Sequence, residues 1–134
     1  MAIINTFQKC LESPYLTADE TAAARVGELL IKAGDRLEGA VNLWESDQKD
    51  SADLLLLSYE ASFCCLRALV YAKGYREAGL RCLLLACDAL YVRPGLLDGD
   101  HLRRFELAQR LKLPPADAIA FASEFAKRTL QLIG

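Results

Sequence analysis

The residues best suited to handling a phosphate or a proton gather between positions 101 and 112. The stretch His101-Leu102-Arg103-Arg104-Phe105-Glu106-Leu107-Ala108-Gln109 holds the one histidine of the chain, two adjacent arginines and an amide, with Arg110 and Lys112 just beyond. A guanidinium presents a planar fork of donors that matches phosphate oxygens. An imidazole exchanges protons near neutral pH. His101 and Arg104 are three residues apart, which puts them one helical turn from each other on a similar face. Gln109 can hydrogen-bond a phosphate or a base, but an amide does not titrate in the range that general acid–base catalysis needs. The plain account of Arg103, Arg104, Arg110 and Lys112 is a solvated helix face, and that of His101 a first-turn surface histidine.

Other chemistries lack their residues. There is no G-x-x-x-x-G-K-[ST] and no G-x-G-x-x-G, so neither a P-loop nor a dinucleotide-binding turn is present. One histidine cannot supply the two carboxylate–histidine pairs of a di-iron bundle. A Ser-His-Asp arrangement through His101 has no serine that the sequence positions. The five cysteines are Cys10, Cys64, Cys65, Cys82 and Cys87. Their number is odd, none forms a C-x-x-C pair, Cys64 and Cys65 diverge on a helix, and Cys82 and Cys87 are off the three-or-four spacing. The expectation is five free thiols, small buried hydrophobes in a reducing compartment, with no metal and no cofactor.

At 134 residues the chain reads as one domain, residues 1–134, with enough apolar content (53%) for a single core. Gly 8 and Pro 4 are few for an all-β protein. The formal charge is −2, but unevenly spread. Residues 1–58 hold five bases against ten acids, a net of −5, and residues 59–134 hold eleven against eight, a net of +3. A basic second half suits an anionic ligand there, and the division suits head-to-tail helix packing equally. The near-neutral total argues against strong non-specific nucleic-acid binding. No apolar run approaches the ~18 residues of a membrane span. The N-terminus lacks early positive charge and a sustained apolar stretch. A cytoplasmic protein without membrane contact is expected.

The elements that must carry these residues are helical. Residues 1–16 are expected to hold a short helix over 2–12 and a connection redirected at Ser13-Pro14. Thr17-Ala18-Asp19-Glu20 fits a capping box and opens a long helix to about Glu45, with Val26, Leu29, Leu30, Ala33, Leu37, Val41 and Trp44 at steps of three and four. Gly27 and Gly34, seven apart on it, suit a close helix–helix approach. Asp50 or Ser51 caps a second helix to about Lys73, stopped by Gly74 and apolar on more than one side. A third runs from Tyr75 to Tyr91 and ends at Arg93-Pro94-Gly95. A fourth follows Asp98 or Asp100 to about Leu111, and Pro115 opens a fifth. No β pattern and no repeat is evident. Tyr71, Gly74, Tyr75 and Ala78 are weakly similar to a tetratricopeptide hairpin, but no 34-residue self-similarity accompanies them. The fold class is all-α, an antiparallel up-and-down bundle of four to five helices.

Tyr59-Glu60-Ala61, Leu66-Arg67-Ala68-Leu69, the stop at Lys73-Gly74-Tyr75-Arg76 and the final Ala118-Ile119-Ala120-Phe121-Ala122 with Phe125-Ala126 resemble the HEPN domains, over roughly residues 24–132. The resemblance implies an antiparallel bundle, usually a homodimer. Many members are metal-independent ribonucleases, often toxins of toxin–antitoxin pairs, and others pair with nucleotidyltransferases or have lost catalysis. Active members carry an arginine, a polar neighbour and a histidine after a gap of four to six residues. Arg104 fills the arginine position here, Phe105 stands for the polar neighbour and Gln109 for the histidine. The implied function is a dimeric, catalytically inactive module that contacts a partner protein (an antitoxin or a nucleotidyltransferase) or an RNA or nucleotide phosphate. Arg104, Gln109 and His101 form the degenerate motif, with no catalytic residue assigned. The alternative is a ribonuclease toxin in which His101 acts in reversed order.

Overall fold

The computed structural model describes residues 3–134. It is mostly helical, with six α-helices and a small antiparallel sheet. Ala2, at the start of the expected first helix, lies outside the described residues. Helix α1 is shorter than expected, Phe7–Leu11, and opens where Thr6 Oγ1 accepts from the Lys9 N–H at 3.1 Å.

Strand β1, Leu16–Ala18, takes the place of the expected capping box, and β2, Tyr75–Glu77, takes the expected start of the third helix. They pair antiparallel with Leu16 opposite Glu77 and Ala18 opposite Tyr75. Asp19 N–H to Gly74 O (2.8 Å) and Ala78 N–H to Tyr15 O (2.9 Å) extend the pairing at both ends. Three residues are too few to show an alternating apolar pattern, which is why the strands are invisible to periodicity. Asp19 instead closes a local turn, its Oδ1 accepting from the N–H and the hydroxyl of Thr21, and no side chain caps the 3₁₀ turn or the helix that follows. A 3₁₀ turn, Ala22–Arg25, leads into α2, Val26–Glu45.

Helix α3, Ala52–Ala72, is capped by Ser51, which accepts from the Asp53 N–H at 3.1 Å. It ends at Gly74, whose φ of +85° is the left-handed conformation that favours glycine. It is buried on several sides, as expected, and α2, α4, α5 and α6 all pack on it. Among the described residues α3 is also the one helix long and apolar enough to cross a membrane, a property that its interrupted apolar runs conceal, and 61% of its most apolar stretch is buried inside the fold.

Helix α4, Leu80–Cys87, runs on into a π turn, Asp88–Val92, closed by Arg93 N–H to Asp88 O at 2.9 Å. There Tyr91 donates its hydroxyl to the Leu69 carbonyl at 2.5 Å, tying α4 to α3. Helix α5 covers Asp100–Gln109, after a turn in which Asp98 Oδ1 accepts from the Asp100 N–H. Helix α6, Pro115–Ile133, opens on proline as expected.

Two expectations are corrected. Within the chain, nothing comes within 4 Å of a side chain added at Gly27 or Gly34; the close approach is at Gly39, where a Cβ would stand 3.2 Å from Leu57 Cδ1. The cysteines are not all free. Cys10 of α1 is bonded to Cys82 of α4, with Cα atoms 5.7 Å apart. Local spacing could not reveal this pair, because the β1–β2 ladder brings together segments 72 residues apart. A disulfide calls for an oxidant, so the reducing-compartment reading does not extend to these two residues. Cys64, Cys65 and Cys87 are free and buried. Burial pushes the Cys65 and Cys87 thiols up to about 12, and the Cys64 thiol upward as well, so none is poised as a nucleophile. Thiol titration in denaturant should therefore count three thiols without reductant and five after reduction; five in both conditions would refute the bond.

Candidate functional site

The α5 segment is oriented by Phe105. Its ring is fully buried, with centroids 5.5 Å from Tyr59 and 6.4 Å from Phe63 of α3. The sequence position where a polar neighbour was expected is thus a core anchor. With Phe105 and Ala108 turned inward, the other residues of α5 take their places by helical geometry.

His101 and Arg104 meet the same carboxylate, Glu124 of α6. Arg104 Nη2 lies 2.9 Å from Glu124 Oε2, and its guanidinium sits 4.9 Å from the centroid of the Phe121 ring. His101 Nε2 lies 3.7 Å from Glu124 Oε1, and its Nδ1 lies 3.2 Å from the Asp98 carbonyl. The imidazole packs beside Phe125 and Phe121, at 5.8 and 6.5 Å. Its side chain is only 13% exposed, so it is not the surface histidine expected, and its Nε2 is buried without a hydrogen-bond partner. Arg103 points away and binds Asp100 one turn back.

Gln109 does not join this group. Five residues from Arg104, it is rotated roughly 140° round the helix. It is exposed and lines a separate groove between α4 and α5, with Leu80, Leu84 and Arg110 among its neighbours. Glu124 is the residue that sequence reasoning missed. It lies 20 positions beyond Arg104 on a different helix, and no local spacing links the two.

Chemically, Arg104 is already neutralised. Arg104 holds Glu124 through one nitrogen, and that half-exposed carboxylate stands beside any phosphate that comes to Arg104 and opposes its charge. Among the described residues, no group of three or more His, Cys, Asp or Glu side chains is arranged to hold a metal ion. Comparison with family models, with curated proteins and with solved structures finds no match to this chain.

The hydrogen bond from Arg104, supported by the charges of Arg104 and His101, holds the Glu124 carboxyl below its ordinary value of 4.5. The unfolded chain therefore takes up this proton at a higher pH than the folded one. The ion pair's contribution to stability is complete above 4.5 and is lost as the pH falls through the lower folded value. In an NMR titration the Glu124 carboxyl should titrate below 4.5 in the wild type and at a higher pH in Arg104→Ala than in the wild type. Equal midpoints in the two proteins would refute the pairing.

Proposed function

We propose that this chain is a HEPN-like up-and-down helical bundle that acts as a binding module. In this reading it is a homodimer without nuclease activity, whose ligand is a partner protein or the phosphate of an RNA or nucleotide. The observation that carries the reading is the closed state of the α5 cluster. Arg104 is spent on Glu124, and Gln109, the residue in place of the proton-transferring histidine, faces a different groove. A cleavage site needs a free cation and a titrating group aimed at one phosphate. Removing the competing carboxylate with Glu124→Gln should strengthen phosphate binding at Arg104, and Arg104→Ala should abolish that gain.

A stripe on α2 supports the dimer. Gly27 and Gly34 are open on either side of Ile31, which is 69% exposed. An apolar side chain flanked by glycines lets a second helix approach closely, and a two-fold contact is the commonest way to cover such a stripe. Sedimentation should give a dimer at tens of micromolar and a monomer for Ile31→Glu. A monomeric wild type would refute the dimer.

Wild type should not cleave RNA above background in the absence of metal, since general acid–base catalysis contributes about 10²–10⁴-fold and Gln109 cannot supply it. Gain of cleavage in Gln109→His would identify a decayed nuclease site. One observation favours the ribonuclease reading: His101, Arg104 and Glu124 do converge. Wild-type cleavage that is lost in both Arg104→Ala and His101→Ala would establish that reading and overturn the binding module.

A further inference from the structure

The chain gathers a second set of cations elsewhere, along a groove on the outer side of α3 that runs from α2 to the β1–β2 ribbon. Tyr59, Phe63, Arg67 and Tyr71 recur at steps of four on α3 and so form one stripe. Arg25, Lys32 and Arg36 stand opposite them, at and along α2. Two cavities lie along this groove, and Arg67 lines both. The first, of about 330 Å³, is polar and has Arg25, Arg67 and Arg76 on its walls. The second, of about 300 Å³, is largely apolar, with Tyr59 and Phe63 on its walls beside Lys32, Arg36 and Glu60, and there Arg36 Nε donates to Glu60 Oε2 at 2.7 Å.

The arginines are held by one nitrogen each. Arg25 meets Glu28 through Nε at 3.2 Å, Arg67 meets Glu77 through Nε at 3.2 Å, and Arg76 meets Asp19 through Nε at 3.5 Å. No hydrogen bond among the described residues engages the Nη atoms of these three side chains, and Lys32 makes no ion pair. Glu77 does not oppose an anion here. Its side chain is 5% exposed, and both oxygens are taken, one by Arg67 and one by the Tyr71 hydroxyl at 2.7 Å. It serves to orient Arg67, whose guanidinium also lies 4.6 Å from the Phe63 ring centroid. Three of the five bases in the acidic first half of the chain, Arg25, Lys32 and Arg36, belong to this groove.

A planar ring beside Tyr59 and Phe63, joined to a phosphate group that Arg67 shares with Arg25 and Arg76, satisfies both cavities at once. We infer that this groove binds a nucleoside diphosphate, with the base in the aromatic cavity and the phosphates in the arginine cavity. Aromatic walls accept any base by stacking, and the free guanidinium edges supply charge-assisted donors to phosphate oxygens. This rests on the reading that the chain acts by binding a nucleotide phosphate, but places the ligand about Arg67 rather than Arg104.

Calorimetric titration of the full chain with ADP, GDP, CDP and UDP tests it, with adenosine and inorganic pyrophosphate as the two halves of the ligand. At least one diphosphate should bind, and each half alone more weakly. Arg67→Gln and Lys32→Glu should each weaken that binding about tenfold or more, the range for losing a charged contact. Lys32 is exposed, so that variant keeps the fold even if Arg67→Gln disturbs Glu77. Lys127→Glu, with the same charge change at an exposed position outside the groove, should bind like wild type. Binding that survives both groove variants but fails in Arg104→Ala would overturn the placement and leave the binding reading standing. Pyrophosphate binding as tightly as the best diphosphate would overturn the aromatic half. Binding of an RNA oligomer with no response to any diphosphate would overturn the ligand class. A chain that binds neither diphosphates nor RNA would refute this inference and the phosphate-binding reading together.

Discussion

The burial of α3 is the constraint on which the rest of this structure depends. From Leu54 to Tyr71 it presents apolar or small side chains to nearly every direction, and a helix of that kind is stable only when other elements surround it. Helices α2, α4, α5 and α6 all pack against it. The few polar groups that go inside are mostly satisfied locally. Ser62 and Thr129 donate to the carbonyls four residues back, and Tyr91 reaches across to the Leu69 carbonyl. Ser58 Oγ and His101 Nε2 are the exceptions among the described residues, buried without a hydrogen-bond partner.

The surroundings of α3 set the chemistry of α5. Phe105 must enter the core between Tyr59 and Phe63, and that choice rotates His101 and Arg104 toward α6 and leaves Gln109 beside α4. Glu124 then faces two basic side chains and closes on them. The same helix that buries its apolar sides keeps a stripe at its outer edge half in water, and there Tyr59, Phe63 and Arg67 face the cations of α2. Arg104 of α5 shares its charge with a half-exposed carboxylate, whereas the carboxylate on Arg67 is buried with both oxygens taken.

The N-terminal segment shows how a small sheet can decide remote contacts. The β1–β2 ladder is three residue pairs long, yet it lays residues 3–18 along the start of α4. Phe7 meets Tyr75 edge to face at 5.3 Å, Arg81 donates to the Ile4 carbonyl at 2.6 Å, and Cys10 reaches Cys82. These contacts are consequences of one register.

The sequence by itself determined the helices whose signals are local. The three-residue and four-residue apolar spacings of α2, the Ser51 cap and Gly74 stop of α3, Arg93-Pro94-Gly95 and the Pro115 opening of α6 lie where the chain's own periodicity and backbone preferences put them. It also determined that α3 would be central, since its apolar residues lie on more than one side. Only the tertiary structure decided the strands at 16–18 and 75–77, the Cys10–Cys82 bond, the pairing of Arg104 with Glu124 and the basic groove about Arg67. Each joins residues from different elements, most of them far apart in the sequence. The geometry that joins them is set by how helices rotate and pack round α3, a quantity that no single segment contains.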